Sequence, residues 1–191
     1  MKVIAYNGSP HQRGNTYDCL KVVCDQLAKE GIETEIVQLA SLKLQDCVAC
    51  FKCGEKADRR CHGVKDDGLN AILPALFAAD GIIIGSPTWY SNVTGMVKNF
   101  IDRVGVVSGG NGRLLNRKVG AAVVAVRRAG AIPTFDAINH FFQISGMIVP
   151  GSSYWNLAVG REPGECMKDE EGVQTFTNLG LNMAWLLKKL G

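Results

Sequence analysis

The apolar positions of this chain change period from segment to segment, and the changes mark out its elements. Lys2–Tyr6 is a short apolar run that stops at Asn7-Gly8-Ser9-Pro10, as a buried strand feeding a loop does. Asn15 or Thr16 can cap the following helix, in which Leu20, Val23 and Leu27 recur at steps of three and four until Glu30-Gly31 ends it. Thr34–Leu39 alternates as a second strand. Asp66-Asp67 start a helix through Leu69, Ile72, Leu73 and Leu76, and Gly81–Gly85 is a third strand ending in Ser86-Pro87. Thr94 caps a helix with Val97, Phe100, Ile101 and Val104 on one face, and the nearly all-apolar Val119–Val126 is a fourth strand. Pro133–Ser145 reads as a helix, Met147–Val149 as a short fifth strand, and Asn178–Leu190 as a closing helix.

Strand and helix alternate throughout, which predicts an α/β fold: a parallel sheet with helices on both faces, a three-layer sandwich. Five strands favour the flavodoxin-like order 2-1-3-4-5 over a six-stranded dinucleotide fold. The expectation is one domain over residues 1–191, with a Cys-rich insertion at 45–65 and a C-terminal excursion at 151–176. Ligands of such sheets bind beyond the carboxyl ends of the strands. That singles out the loops Gly8–Asn15, Ser86–Asn92 and Arg127–Gly130.

Composition narrows the picture. Hydrophobic residues make up 47% and charged residues 20%, as in ordinary globular proteins. A net charge of +3 gives no footprint for nucleic acid or an anionic membrane surface. The first apolar run is too short for a signal-peptide core, and no stretch is long enough to span a bilayer. The expected location is cytoplasmic, where clustered cysteines mean metal or redox chemistry more often than disulfides.

The first loop, NGSPHQRGNT, joins a strand to a helix. Ser9, Asn15 and Thr16 offer hydroxyl and amide groups, Arg13 offers a positive fork, and Gly8 and Gly14 let backbone approach a ligand. The helix N-terminus adds free amides for an anion. Neither the P-loop spacing nor G-x-G-x-x-G is present.

Together with GSPTWYSNVTGMVKNFIDR after the third strand and VRRAG after the fourth, this loop resembles the flavodoxin-like NAD(P)H-dependent FMN reductases. The cysteine segment is most similar to the iron–sulfur flavoprotein branch of that superfamily. The resemblance implies FMN as cofactor, with its phosphate on Ser9, Arg13, Asn15 and Thr16 and with His11 and Gly14 also among the binding residues. The ring would lie against Pro87, Thr88, Trp89, Tyr90, Ser91 and Asn92; a flat, mostly apolar ring suits aromatic surface with a few polar contacts. Many relatives carry a Gly-rich third turn, whereas this chain has Arg127-Arg128-Ala129-Gly130. The two arginines suit the negative edge of reduced flavin, the phosphate of NADPH, a neighbouring subunit, or solvent. No catalytic acid or base stands out, and His62 and His140 have no evident partner.

Four of the seven cysteines, Cys47, Cys50, Cys53 and Cys61, follow the spacing C-x2-C-x2-C-x7-C. Four thiolates in a compact loop suit a [4Fe-4S] cluster. Zinc, a thiol relay through Cys50 and Cys53, and a loop without metal are the alternatives. The other three cysteines read as structural.

The function expected is an FMN-dependent oxidoreductase that takes electrons from NADH or NADPH. Its acceptor would be a quinone, a nitro or azo compound, a metal ion or a redox protein. The alternative is an electron-transfer protein fed by ferredoxin-like partners. The resemblance implies a homodimer or homotetramer. The stretch Gly151–Thr175, with Tyr154, Trp155, Arg161 and the acidic run Asp169-Glu170-Glu171, is expected to cover the flavin or pack on a neighbouring subunit.

Overall fold

The computed structural model describes residues 1–191. Its strands are β1 (Lys2–Asn7), β2 (Glu33–Gln38), β3 (Gly81–Pro87), β4 (Val119–Val126) and β5 (Leu157–Val159). They form one sheet in the order β2-β1-β3-β4-β5, and every pairing is parallel. This is the flavodoxin-like order expected from the alternation of elements.

Side chains alternate across the sheet, so each face builds its own core. Val3 and Ala5 of β1 pack with Leu20, Val23 and Leu27 of α1 (Asn15–Lys29) and with Phe176 and Met183 of α6 (Glu170–Leu190). Ile4 and Tyr6 point the other way, into a cluster that takes in Leu73 of α3 (Leu69–Ala78), Val97 and Phe100 of α4 (Gly95–Gly110), and Ile138 of α5 (Ala131–Ile144). A short helix, α2 (Lys52–Lys56), belongs to the cysteine segment. The central strands β1, β3 and β4 are buried on both sides, which is why they read as apolar runs. β2 is an edge strand, and its Glu33 and Glu35 meet Lys2 at 2.9 and 3.0 Å.

The fifth strand differs from the sequence expectation. Ile148 makes only an isolated parallel bridge to Val119 at the foot of β4, with hydrogen bonds on either side of it. Pro150, which has no amide to donate, ends that pairing. The chain then swings out along α6, where Ser152 Oγ donates to Thr175 O and Asn182 Nδ2 donates to Gly151 O. It returns as Leu157–Val159, paired with Val124–Val126 near the carboxyl end of β4. The stretch 151–176 is therefore not a plain loop: it contains β5, a short 3-10 turn at Glu165–Lys168, and the beginning of α6. That helix starts at Glu170 rather than near Asn178, because Asp169 caps it: its carboxylate accepts from Gly172 N at 3.0 Å and from Val159 N at 2.7 Å. The acidic run is thus the helix N-terminus, where negative charge meets the positive end of the dipole.

Candidate functional site

The first loop is held from three sides. Gly8 N donates to Gly85 O at 2.8 Å, and Thr94 Oγ1 donates to Gly8 O at 2.8 Å while accepting from Val97 N at 3.3 Å. Thr94 therefore caps α4, as its position predicted, and also ties the first loop to the second. Asn7 and Gln38, at the ends of β1 and β2, supply the rest. Asn7 Oδ1 accepts from Ser9 N, Gln38 Nε2 donates to Ser9 O at 2.7 Å, and Asn7 Nδ2 donates to Gln38 Oε1 at 2.6 Å. Sequence reasoning passed over both residues, although each ends a strand beside the loop.

Neither Asn15 nor Thr16 caps α1. Gly14 takes the capping position and has no side chain to offer the helix amides. The first intrahelical acceptor, Gly14 O, is used by Asp18 N, so the amides of Asn15, Thr16 and Tyr17 have no acceptor in the chain. Asn15 and Thr16 line a cleft of about 440 Å3, a usual volume for a small-molecule site.

The cleft brings together Ser9, His11, Arg13, Gly14, Asn15 and Thr16 from the first loop, Pro87, Thr88 and Trp89 from the second, and Arg127 from the third. Tyr90 and Ser91 lie outside it. They form the tip of a tight hairpin in which Trp89 and Asn92 exchange backbone hydrogen bonds at 2.9 and 3.0 Å. Both tip residues have positive φ, 48° and 57°, an uncommon state for residues with side chains and one that two-residue hairpins require. Tyr90 is fully exposed there. Asn92 faces a separate groove between α4 and α5. Arg128 is exposed beyond the cleft, and Gly130 heads α5 against Ser91.

A fourth wall, Gly160–Pro163, comes from the stretch after β5. Arg161 is in it, whereas Tyr154 and Trp155 are exposed elsewhere and pack edge to face on each other at 4.8 Å. Glu165 holds the turn by accepting from the amides of Arg161 and Glu162, both at 2.9 Å, and those bonds keep its carboxyl below the usual range. Asn15 ties this wall to α1. Its Nδ2 donates to Gly160 O and Glu162 O, both at 3.0 Å, and its Oδ1 accepts from Cys166 N at 3.3 Å. The Asn15 side chain is therefore committed to the wall, leaving its backbone amide for a ligand. Asn15→Ala is expected to loosen the wall and to weaken binding of the FMN that the resemblance implies about tenfold, by the loss of roughly 1–2 kcal/mol of hydrogen bonding. Titrating the apoprotein with FMN by fluorescence quenching measures this; an unchanged Kd would show that the wall plays no part in binding.

The cysteine segment forms a second site, behind α4. Cys47, Cys50, Cys53 and Cys61 line one narrow cavity together with His62, Val64, Arg103 and Val106. Four residues around it, Ala49, Phe51, Ala57 and Arg59, have positive φ without being glycine. Such strain persists where the surroundings over-determine the backbone, and it gathers at functional sites. α2 is pressed against the end of α4: a Cβ on Gly110 would stand 2.8 Å from Gly54 Cα, so only glycine permits this approach. Cys61 is pinned by Asn70, which accepts from its amide at 2.8 Å and donates to its carbonyl at 2.9 Å. Burial pushes the Cys61 thiol up, but the Arg103 guanidinium and the amides of Val64 and Gly63 more than offset it and hold the thiol below its usual range. His62 has a partner after all, Asp58, at 2.9 Å. No three His, Cys, Asp or Glu side chains are gathered closely enough to share a metal ion in this structure.

A family model described as NADPH-dependent FMN reductase matches residues 1–162. The chain belongs to the NADPH-dependent FMN reductase family. An iron–sulfur flavoprotein of Methanocaldococcus jannaschii is 37% identical to it over 195 residues, covering 98% of each chain. Among solved structures, RosB with bound 8-demethyl-8-formylriboflavin-5'-phosphate superposes with a TM-score of 0.77 at 19% identity, over 100% of this chain and 80% of its own. An NAD(P)H:quinone oxidoreductase from Methanothermobacter marburgensis superposes with a TM-score of 0.70 at 14% identity, over 96% of both chains.

For this FMN reductase family member, FMN suits the residues present. Unpartnered helix amides and the Arg13 guanidinium are donors of the kind a phosphate takes, and Pro87, Thr88 and half-exposed Trp89 offer a face for a flat ring. For an iron–sulfur cluster, the donor set suits in kind: four thiols around one cavity, with a buried cation beside them. No helix is long and apolar enough to cross a membrane.

Proposed function

We propose that this family member is an FMN-dependent oxidoreductase that takes electrons from NADH or NADPH and passes them to a quinone, a nitro or azo compound, a metal ion or a redox protein. The observation that carries this reading is the cleft at the carboxyl ends of β1, β3 and β4, with its open α1 amides on one wall and Trp89 on another. Bound FMN supplies the hydride and single-electron chemistry. The chain's part is to hold and orient it. The amides of Asn15, Thr16 and Tyr17 with Arg13 receive the phosphate, and the α1 dipole favours that anion. Pro87, Thr88 and Trp89 support the ring. Arg127 gives the cleft a positive charge toward the anionic edge of the flavin and the phosphates of the nicotinamide donor, while Arg161 pairs with Glu162 at 3.2 Å.

Arg13→Ala removes a charge-assisted contact and is expected to weaken FMN binding by about 10- to 100-fold, from roughly 1.5–3 kcal/mol. Isothermal titration with FMN and with riboflavin separates the causes. The loss should appear with FMN alone; equal losses with both ligands would show that Arg13 does not meet the phosphate.

The cysteine cavity favours a second reading, an iron–sulfur flavoprotein that exchanges electrons with a redox protein. In it Cys47, Cys50, Cys53 and Cys61 hold a [4Fe-4S] cluster. Val48 and Phe51 are exposed on this loop beside Lys52, Lys56, Arg59 and Arg60, a surface suited to an acidic partner. Under either reading we place the protein in a homodimer or homotetramer, which light scattering would test. The deciding experiment is anaerobic mixing of the flavin-loaded protein with NADH or NADPH. Fast bleaching of the flavin supports the reductase. Slow bleaching with rapid reduction by a ferredoxin supports the carrier, and purification without any flavin would sink both.

A further inference from the structure

Arg103 is the largest fully buried side chain in the protein, at 1% exposure. It sits on α4 among Phe100, Val104 and Val107, on the face turned to the core. Asp67, itself 4% exposed, pairs with it. Nη1 donates to one carboxylate oxygen and Nη2 to the other at 3.4 Å, and Nη1 also donates to Gln45 O at 3.3 Å. The pairing is incomplete. Nε is buried and has no hydrogen-bond partner. Buried donors are nearly always satisfied, and a charged one left bare is costly.

The guanidinium borders the cysteine cavity together with all four cysteines, and Cys61 is the one whose charge it favours. Cys53 differs: its sulfur donates to Val106 O at 3.9 Å. One of the four cysteines thus faces a fixed cation, on a backbone pinned by Asn70. Hydrogen bonds to cluster sulfurs and nearby charge are what set a cluster's potential.

We propose that Arg103 is a positioning residue of the cysteine site. Its buried charge, set against the cavity that the four cysteines line, raises the reduction potential of the group they hold. Asp67 opposes it by withdrawing part of its charge. This rests on the reading of that group as a [4Fe-4S] cluster. A cation beside the cluster favours the state that has gained an electron, and a carboxylate disfavours it. The two residues therefore move the potential in opposite directions, which a merely structural role does not do.

The test uses the full chain, loaded with flavin and reconstituted anaerobically with iron and sulfide. Iron content is measured first, then the cluster midpoint by a redox titration followed by electron paramagnetic resonance. Arg103→Gln is expected to lower the equilibrium constant for reduction about tenfold, ~59 mV for a one-electron couple. Asp67→Asn is expected to raise it by a similar factor. If Arg103→Gln does not fold, Arg103→Lys keeps a cation for Asp67 while losing the planar fork, and should lower the constant several-fold. Shifts of the same sign in the Arg103 and Asp67 variants, or none, with iron retained, would overturn the role of Arg103 and leave the cluster reading standing. Wild-type protein that takes up no iron would overturn both.

Discussion

Asp67→Asn is expected to lower the unfolding free energy at neutral pH by about 3–5 kcal/mol, the usual cost of breaking a buried ion pair. The carboxylate is 4% exposed and Arg103 1% exposed, so the substitution strands a guanidinium that water cannot reach. It also weakens bonds from the Gln45 amide at 3.2 Å and the Leu69 amide at 3.3 Å, which set the entry to α3. The pair has a pH signature. Burial pushes the Asp67 carboxyl up, but the Arg103 guanidinium and the two amides more than offset it and hold it below the usual carboxylate range. A depressed folded-state pKa contributes stability that is complete above the unfolded value and is lost as pH falls through the folded one. The gap between wild type and Asp67→Asn should therefore be widest at neutral pH and narrow in acid, below the ordinary carboxylate pKa. Urea unfolding across that range measures it, and a gap that stays constant down to the lowest accessible pH would contradict the assignment.

Gly8→Ala is expected to cost about 1–3 kcal/mol or more from overpacking, and to abolish FMN binding with it. A Cβ at this position would stand 2.0 Å from Val97 Cγ2 and 2.7 Å from Gly85 O. The first contact is a side chain on α4 and the second is backbone of β3, so the loop itself must move. Moving it breaks the bonds from Gly8 N to Gly85 O and from Thr94 Oγ1 to Gly8 O, which position the first loop. Val97→Ala in the same chain removes the nearer clash and leaves the other, so it should recover part of the stability. Thermal unfolding together with the flavin content of purified protein tests this. Wild-type values for the single variant would show that the loop is not held as described.

What the sequence revealed follows from where physical constraint is local. β1, β3 and β4 are flanked by buried neighbours on both sides, so their apolar runs and abrupt ends were readable, and with them three of the four walls of the cleft. Thr94 was legible as a cap because a cap is a local device; its bond to Gly8 is not. β5 was misplaced because Met147–Val149 has strand character, yet pairs at only one point before Pro150 interrupts it. Asp169-Glu170-Glu171 carried a readable helix-start signal, obscured by the polar, glycine-containing turns that follow it. The turn at Tyr90 and Ser91 lacked the Asn-Gly signal of its type. Arg103 continues the spacing of Phe100, Val104 and Val107, but an arginine on an apolar face passes for a snorkelling surface residue until its partner is seen.

The tie between Asn15 and Gly160 spans 145 residues, and the one to Glu162 spans 147. A chain leaves the ribosome N-terminus first, so β1 and its loop emerge long before the wall that closes over them. Until β5 has added to the sheet edge, the cleft beside that loop lacks one of its walls. The cofactor would then be captured late, by a nearly finished chain, and flavin supply would act on the last step of maturation rather than the first.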